Sequence, residues 1–451
     1  MDNLCTVFIN GKEIPLYRAI CTFSNDRIDW DGHVYDFAIC DTEFPASLEI
    51  RSARDLKNTT VLPTGAITSL ETGEHIIRAT IEKPGAYIFE PDGYKNTPLI
   101  LFFNSEDCNV PDKNDPLVKW FGPGVHKAGR IELQSNETLY LAPGAIVETS
   151  VFAHGDNIRI CGHGILTQRS MARRDVWHCL DFYKCTNLHL EGFTAADPCH
   201  WNLVLRDCEH VLIDNVKLCG GRMINDDGID ICNSRDVIIQ NCFIRAQDDI
   251  ITPKGLYDLP DQTKRNKDDI AAFYQTEGRA IRNVLVQDCV FWCDAANVFR
   301  IGYECIAETM ADITVRNCDI VHFCDVYRPA PDYWCNTIWY IQPSHRMTIQ
   351  NLLFENLRIH CDGQNLILMK IVSMECPPFV DFGNVRNCTF RNISVNGIQG
   401  NFHGEIFLEG HDENRKIEDI RFENFQVFGQ TITAQYPNLT VGNFADMPIF
   451  S

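Results

Sequence analysis

Residues 237–242 read Val-Ile-Ile-Gln-Asn-Cys, and this pattern of alternating apolar residues followed by Asn or Asp returns along the chain. Clear copies are found at 211–216, 284–289 and 313–318, and weaker copies at 353–357, 390–393 and 420–425. A repeat of roughly 20–50 residues is typical of a solenoid, in which each repeat buries its apolar side chains against its neighbours. Strand-rich repeats with Asn at the bend predict a right-handed parallel β-helix.

Cysteines occupy a regular place in these repeats. Cys242, Cys289 and Cys318 directly follow the Asn or Asp of successive copies, and Cys388 follows an Asn in a similar setting. A free cysteine behaves as a small apolar residue, so we expect a stack of thiols in the core. A metal site would instead need Cys or His residues that converge at ligand distance.

The first part of the chain has a different pattern. Short alternating segments such as 6–9, 47–50 and 75–81 are separated by turn residues, including the Pro-Asp-Gly at 91–93. This pattern favours an antiparallel sandwich. The sequence therefore predicts an all-β protein with an N-terminal β-sandwich at residues 1–110 and a β-helix at residues 111–451.

Composition narrows the classes of partner. The 451 residues carry a formal net charge of −21, which argues against nucleic acid or an anionic membrane as a partner. The first residues lack the features of a secretory signal, and no apolar run is long enough to span a bilayer. With 21 cysteines and no CxxC pair, the thiols are expected to be reduced, which favours a cytoplasmic location.

Acidic residues cluster at one point of the repeat. Residues 225–230 read Asn-Asp-Asp-Gly-Ile-Asp, and Gln-Asp-Asp follows at 247–249. Asp227 and Asp248 are one coil apart, which predicts that they lie on adjacent strands about 4.8 Å from each other. Crowded carboxylates can share protons for catalysis or bind a cation, and each motif alone could be only a turn. Inverting glycoside hydrolysis uses two carboxyl groups roughly 6.5–9.5 Å apart, one of them protonated.

Residues 225–254 resemble the polygalacturonases of glycoside hydrolase family 28. Three upstream segments agree with that family: Tyr-Leu-Ala-Pro-Gly-Ala at 140–145, Ile-Cys-Gly-His-Gly at 160–164 and Asp-Pro-Cys-His-Trp at 197–201. The resemblance implies that Asp248 is the general acid and that Asp227 and Asp249 hold and activate the attacking water. It also implies that the cleft is lined by His200, Trp201 and Lys254.

Two departures from the family concern the substrate. Residues 294–304 keep the family's Ile-Gly-x-Glu, but Ala296 stands where the family has His. The family's Arg-Ile-Lys has no clean equivalent, and Arg300 and Arg328 are the candidates. Without a cation matched to a carboxylate, polygalacturonate is a poorer fit.

The chain also resembles the dextranase and isopullulanase family, glycoside hydrolase family 49, which implies a sandwich before the β-helix, three clustered Asp residues and neutral α-glucan substrates.

The leading hypothesis is an inverting glycoside hydrolase that acts on a neutral oligo- or polysaccharide with no metal and no cofactor. Residues 255–281 interrupt the repeat and are predicted to form a loop over the Asp cluster. The alternatives are a pectic polygalacturonase, a calcium-dependent polysaccharide lyase and a non-catalytic glycan-binding β-helix. The oligomeric state is not assigned. The predicted substrate-binding residues are Asp230, His200, Trp201, Lys254, Arg300, Tyr303, Glu304, Arg328 and Trp334.

Overall fold

The computed structural model describes residues 4–21, 33–93, 96–255, 278–302, 305, 307–324, 330, 336–361, 365–372, 381–397 and 402–451. The chain divides into two compact units, Met1–Pro111 and Asp112–Ser451; the sequence placed this boundary between residues 110 and 111. The described residues of both units contain no helix with the length and apolar character of a membrane span.

The first unit consists of two five-stranded sheets. Its strands are β1 Cys5–Ile9, β2 Lys12–Ile14, β3 Tyr17–Cys21, β4 His33–Asp41, β5 Ala46–Ser52, β6 Thr60–Leu62, β7 Ser69–Thr72, β8 Ile76–Ile81, β9 Gly85–Glu90 and β10 Leu99–Asn104. The strand order is β2-β1-β5-β8-β7 in one sheet and β3-β4-β10-β9-β6 in the other. The pairing was expected to be antiparallel throughout, but β4 and β10 run parallel.

Both sheets of this unit contribute to one apolar core. Val7 and Ile50 from the first sheet and Leu101 and Phe103 from the second belong to the same buried cluster. Strands β5 and β8 alternate buried and more exposed residues, as expected for strands with one face toward a core.

The second unit is a parallel solenoid of short strands. They are β11 Val118–Phe121, β12 Gly124–Leu133, β13 Thr138–Leu141, β14 Ala145–Asp156, β15 Arg159–Cys161, β16 Ile165–Thr167, β17 His178–Glu191, β18 Thr194–Ala196, β19 Trp201–Arg206, β20 Glu209–Asp214, β21 Lys217–Cys219, β22 Ile229–Cys232, β23 Arg235–Gln240, β24 Phe243–Ala246, β25 Ile251–Lys254, β26 Ile281–Gln287, β27 Val290–Cys293, β28 Phe299–Gly302, β29 Thr309–Arg316, β30 Asp319–Phe323, β31 Trp339–Gln342, β32 Thr348–Ile359, β33 Asn365–Lys370, β34 Asn384–Val395, β35 Glu405–Glu409, β36 Ile417–Val427, β37 Gln430–Thr431, β38 Leu439–Val441 and β39 Ile449–Phe450.

Three strands make one coil, and each strand pairs in parallel with its equivalent in the next coil. Strands β19, β22, β25, β28, β31, β33, β35 and β38 form one such column, here named the first ladder. A second column, here named the second ladder, contains β20, β23, β26 and β29, and a third contains β21, β24, β27 and β30. The expectation of an all-β parallel solenoid is confirmed.

The interior of the solenoid is a continuous apolar core that includes the repeated cysteines. Cys289 interacts with both Cys242 and Cys318, so these three thiols form the expected stack. Cys388 is also buried in the core, but its register partners are Leu352 and Ile420. We expected Cys388 to have a setting similar to that of the other three cysteines. It is buried as they are, but it lies in a different row of inward-facing residues, so that expectation is wrong.

Asn side chains at the bends hydrogen-bond from coil to coil. Asn356 Nδ2 donates to Asn317 Oδ1 at 3.1 Å, and Asn356 Oδ1 accepts from Asn392 at 3.0 Å. Asn424 continues the series by donating to Asn392 at 3.0 Å. All four residues have φ between 50° and 57°, a left-handed conformation that Asn tolerates better than most residues. The repeated Asn therefore both permits the bend and connects successive bends.

The second ladder keeps its register across the longest interruption of the repeat. Gln240 bonds to Asp214, 26 residues earlier, whereas Gln287 bonds to Gln240 over a separation of 47 residues. The connection between β25 and β26, residues 255–280, contains the added length, and 256–277 of it lie outside the described residues. The added length is therefore confined to the connection between β25 and β26.

Candidate active site

The acidic cluster lies at the start of neighbouring strands of the first ladder. Ile229 of β22 is in register with Ile251 of β25, so Asp227 lies beside Asp249, two residues earlier on each strand. The Gly228 amide donates to the Asp249 carbonyl at 2.8 Å, which confirms this pairing. Asp248 had been expected opposite Asp227, but it lies one residue earlier in the bend. The coil is one residue longer than the 21-residue spacing suggested.

The three carboxylates converge closely. Asp227, Asp248 and Asp249 each offer one oxygen, and these oxygens all lie within 4.8 Å of one another. Asp227 is 3% exposed, and Asp248 is partly buried. The nearest oxygens are thus closer than the carboxyl separation of roughly 6.5–9.5 Å that inversion usually requires. The same spacing would also allow one cation to be ligated.

Burial and repulsion change the proton affinity of the cluster. Loss of solvation raises the pKa of Asp227 well above its ordinary value, and the charges of Asp230, Asp248 and Asp249 raise it further. Lys254 opposes the rise. A carboxyl group in this setting retains its proton at a higher pH than an exposed Asp does.

Lys254 is an internal counterion. Its Nζ lies 3.1 Å from Asp227 Oδ2 and 2.9 Å from Asp230 Oδ1, and 3.7 Å from the centre of the Trp201 ring. Lys254 is 3% exposed and Asp230 is fully buried. Both were predicted to bind substrate; this role stays a prediction, and the observed contacts are with each other and with Asp227.

Asp249 is held by a residue that the sequence did not single out. The backbone amide and Nδ2 of Asn297 both donate to Asp249 Oδ1, at 2.9 and 2.7 Å. Asn297 Oδ1 in turn accepts a hydrogen bond from the Thr337 amide at 2.9 Å. The neighbouring Ala296, where the family has His, is 8% exposed. Asn297 lies two residues before Phe299, the register partner of Ile251, and so it is opposite Asp249; this register is not readable from the sequence, because 256–277 lie between the two strands.

Asp226 fixes the spacing of the two bends that carry the cluster. Its Oδ1 accepts from the Gln247 amide at 2.5 Å, and its Oδ2 accepts from the Gly221 and Arg222 amides at 2.7 and 3.2 Å. Because Asp226 precedes Asp227 and Gln247 precedes Asp248, this carboxyl group ties one bend to the other. The sequence suggested only a turn at this residue.

His200 and Trp201 lie one coil before Asp227. The Asn202 amide donates to the Asp227 carbonyl at 3.0 Å, which places Trp201 beside the cluster. The Trp201 ring stacks on His178 with 5.4 Å between ring centres. His200 is buried, and its Nδ1 lies 2.8 Å from the Trp177 carbonyl. Burial lowers the pKa of His200 to about 3, so the imidazole is neutral near pH 7.

Arg300 lies farther along the first ladder. It is in register with Tyr340 of the next coil, and its guanidinium carbon lies 3.9 Å from the centre of the Tyr340 ring. The predicted site residues Tyr303, Glu304, Arg328 and Trp334 lie outside the described residues, as does most of the predicted loop at 255–281.

A comparison of the sequence with protein families matches this part of the chain. Residues 162–255 match the model of glycosyl hydrolases family 28. The chain is 36% identical over 73 residues to a probable polygalacturonase from Arabidopsis thaliana and 32% identical over 74 residues to a second one from the same plant. These alignments cover 16% of this chain, and 16% and 17% of the two relatives. The expected resemblance to family 28 is confirmed.

The solved structure of Dex49A from Penicillium minioluteum has a similar fold. It aligns over 99% of this chain and 93% of its own length with a TM-score of 0.68. Sequence identity is 13%, so this similarity concerns the fold alone. The expected likeness to family 49 is confirmed at that level.

Proposed function

We propose that this protein is a glycoside hydrolase that cleaves an O-glycosidic bond of an oligo- or polysaccharide with inversion. Asp248 donates a proton to the leaving oxygen, while Asp227 and Asp249 hold and activate the attacking water. The observation that carries the proposal is the convergence of three carboxylate oxygens within 4.8 Å beside a buried lysine. The match of residues 162–255 with family 28 supports it independently.

The spacing of the oxygens suits a shared water molecule. A water that donates to two carboxylates lies about 2.8 Å from each oxygen. Two acceptors as much as 4.8 Å apart can therefore share one water at a bent angle. Oriented by Asp227 and Asp249, such a water loses a proton to a carboxylate as its oxygen attacks the anomeric carbon.

The electrostatics support a resident proton. Burial and repulsion raise the pKa of Asp227, so the cluster keeps a proton in a pH range where an isolated Asp is ionised. In a cluster this tight, the proton belongs to the group rather than to one residue. Asp248 and Asp249 are both partly buried, and the resemblance to family 28 assigns the transfer of that proton to a substrate oxygen to Asp248.

The anomer of the first product tests the stereochemistry. Retaining enzymes have carboxyl groups about 5–5.5 Å apart, closer to the present spacing, whereas inverting enzymes need room for a water. Inversion is proposed because a third carboxylate is available to bind that water. NMR of the initial product should show the anomer opposite to that of the cleaved bond. Retention would replace the water-activating role of Asp227 or Asp249 by a nucleophilic one.

A neutral, α-glucan-like substrate fits the charges best. The Lys254 charge is already engaged by Asp227 and Asp230, and no Arg-Ile-Lys equivalent is evident in the sequence. A pectic polygalacturonate is the second candidate because both curated relatives are named probable polygalacturonases. Reducing-end release from dextran, other neutral α-glucans and polygalacturonate distinguishes the two. Faster cleavage of polygalacturonate would overturn the neutral assignment.

Two other functions predict different results. A calcium-dependent lyase would lose activity with a chelator and form an unsaturated product that absorbs ultraviolet light. The hydrolase should show neither effect. A glycan-binding scaffold would be unaffected by Asp248→Asn, whereas loss of a general acid should reduce hydrolysis by about 10²- to 10⁴-fold. Retained sugar binding and an unchanged thermal unfolding curve would exclude misfolding of that variant.

We also propose that the solenoid is a right-handed β-helix, because parallel crossover connections are right-handed in about 98% of cases. The two sheets that share a core in the first unit support a β-sandwich there. A cytoplasmic location is proposed because the 21 cysteines of this long chain include no CxxC pair and do not have the pattern of a short secreted disulfide framework.

A further inference from the structure

The connection between β16 and β17, residues 168–177, lies next to the bend that carries the cluster. The Arg222 guanidinium donates to the carbonyls of Gln168 and Met171, both at 2.9 Å. The Arg222 amide donates to Asp226 Oδ2 at 3.2 Å. One residue thus binds both the connection and the carboxyl group that precedes Asp227, so the connection is held in a defined place beside the cluster.

A chain of two hydrogen bonds runs from this connection to Asp248. Arg173 Nη2 donates to Asn225 Oδ1 at 2.8 Å, across 52 residues of sequence. Asn225 Nδ2 donates to Asp248 Oδ2 at 3.3 Å. Arg173 is an exposed residue, and the Asp248 charge also acts on it directly: limited desolvation and Arg174 lower the pKa of Arg173, and Asp248 opposes that change. We name these three residues the relay.

The chemistry of the side chains gives the relay a direction. A guanidinium group has only donors, so it can meet only the oxygen of an Asn side chain. With Oδ1 held by Arg173, the amide nitrogen of Asn225 is directed to the opposite side, where Asp248 lies. Rotation of the amide would bring Oδ1 toward a carboxylate and leave Arg173 facing an NH₂ group. Arg173 therefore selects the amide orientation that donates to Asp248.

The charges around Asp248 make this contact important. The acidic groups that act on or adjoin it are Asp226, Asp227 and Asp249. Arg173 is a cation whose interaction with Asp248 is favourable. After a general acid gives up its proton, it becomes a negative charge among three neighbouring carboxyl groups. A donor aimed at its oxygen and a nearby cation both stabilise that ionised form.

We propose that Arg173 is a positioning residue that acts through Asn225 to orient Asp248 and to stabilise its ionised form during proton transfer. This inference rests on the proposed role of Asp248 as the general acid. The residue lies outside the repeat and outside the acidic motif, and its hydrogen bonds reach the proton-transfer group through a second side chain.

The test compares Arg173→Ala, Arg173→Lys and Asn225→Ala by steady-state kinetics on the polysaccharide that the native protein cleaves best. Arg173→Ala should lower kcat by about tenfold, the size expected for a hydrogen bond to a charged group, with KM unchanged. Removing the cation should also destabilise the ionised form of the general acid, so the alkaline limb of the pH profile should move to higher pH. Arg173→Lys keeps the charge, so its alkaline limb should stay at the native pH.

A double-mutant cycle and a charge-matched control complete the experiment. Arg173→Ala should have a smaller effect on kcat when Asn225 is already Ala, because the relay is then broken. Arg235→Ala removes a similar charge from the second ladder, where Arg235 pairs with Glu209 at 2.8 Å; it should leave kcat and the pH profile unchanged. Thermal unfolding checks that each variant is folded, and it matters most for Asn225→Ala because Asn225 has φ 62°, a left-handed conformation in which Ala is strained.

Three outcomes separate the possibilities. One outcome is that Arg173→Ala and Arg235→Ala have the same kcat and pH profile while Asp248→Asn abolishes hydrolysis. In that case Arg173 does not position Asp248, and the proposed function stands. If the effects of Arg173→Ala and Asn225→Ala on kcat are additive, Arg173 does not act through Asn225. If Asp248→Asn remains fully active, the proposed function itself fails.

Discussion

Lys254 Nζ lies 3.1 Å from Asp227 Oδ2 in a setting where both side chains are at most 4% exposed. The ammonium group also lies 2.9 Å from Asp230 Oδ1. Two carboxylates therefore share one cation, and Asp248 and Asp249 each bring a further carboxylate oxygen within 4.8 Å of Asp227. Because charges removed from water are stable only when paired, this lysine is needed for the fold as well as for the electrostatics of the cluster.

Lys254→Met should destabilise the protein strongly. Breaking a buried ion pair from one side typically costs about 3–5 kcal/mol, because the remaining charge is buried without compensation. The free energy of unfolding, measured in urea, should fall by that amount, and hydrolysis should be lost. Adding Asp230→Asn to this variant should recover part of the stability. Lys127→Met serves as the control, since Lys127 is 84% exposed in its side chain and pairs with Glu148 at 4.0 Å.

Asn297→Ala should lower kcat even under conditions in which the variant is fully folded. The variant keeps the backbone donor to Asp249 but loses Nδ2, a hydrogen bond to a charged group worth about 1.5–3 kcal/mol. We expect kcat to fall at least tenfold, with KM little changed. It also removes the acceptor of the Thr337 amide, so stability should fall. Unchanged kcat in a folded variant would show that Asp249 needs no side-chain donor.

Asp227→Asn should change the dependence of stability on pH. The pKa of Asp227 is raised in the folded protein, so the folded state binds more protons than the unfolded state above the unfolded pKa of about 3.9. The stability contributed by protonated Asp227 is therefore complete below that pH. It is lost as the pH rises through the pKa that Asp227 has in the folded protein. The unfolding free energy of the native protein should decline relative to Asp227→Asn as pH rises above about 4. Parallel curves for the two proteins would contradict the raised pKa.

Asn356 provides a test of the solenoid that does not involve the cluster. Asn356→Gly removes the hydrogen bonds to Asn317 and Asn392 without straining a residue at φ 55°. We expect a loss of about 1–3 kcal/mol in unfolding free energy. Asn356→Ala should lose about 1–2 kcal/mol more, because Ala is strained in the left-handed region. Both variants should retain native kcat. They therefore serve as controls for Asn297→Ala, because they lose stability without losing catalysis. Equal stability of the Gly and Ala variants would show that the bend relaxes.

The repeat made much of the solenoid predictable from sequence. Alternating apolar residues and the Asn-Cys bends indicated the strands, the core and the cysteine stack, and the two acidic motifs indicated where carboxylates would converge. These patterns repeat from one coil to the next, so residues in one coil predict the positions of the equivalent residues in the following coil. The pairing of Asp227 with Asp249 rather than Asp248 was not predictable, because it depends on the length of one bend.

Other parts of the candidate site depend on contacts between distant segments. Asn297 reaches Asp249 across 48 residues, and residues 256–277 lie between them, so the spacing of the repeat gives no direct guide. Arg173 lies in a connection with no repeat pattern. The sequence identified Lys254 as a cation near the cluster, but its burial between Asp227 and Asp230 depends on the packing of three strands and the Trp201 ring.

The second ladder keeps its register although the separation between bonded partners grows from 26 to 47 residues at the connection after β25. The length of this connection is therefore independent of the register of the strands on either side of it. The carboxylates are therefore positioned by the register of the strands that carry them, and the extra length of the connection after β25 leaves that register unchanged.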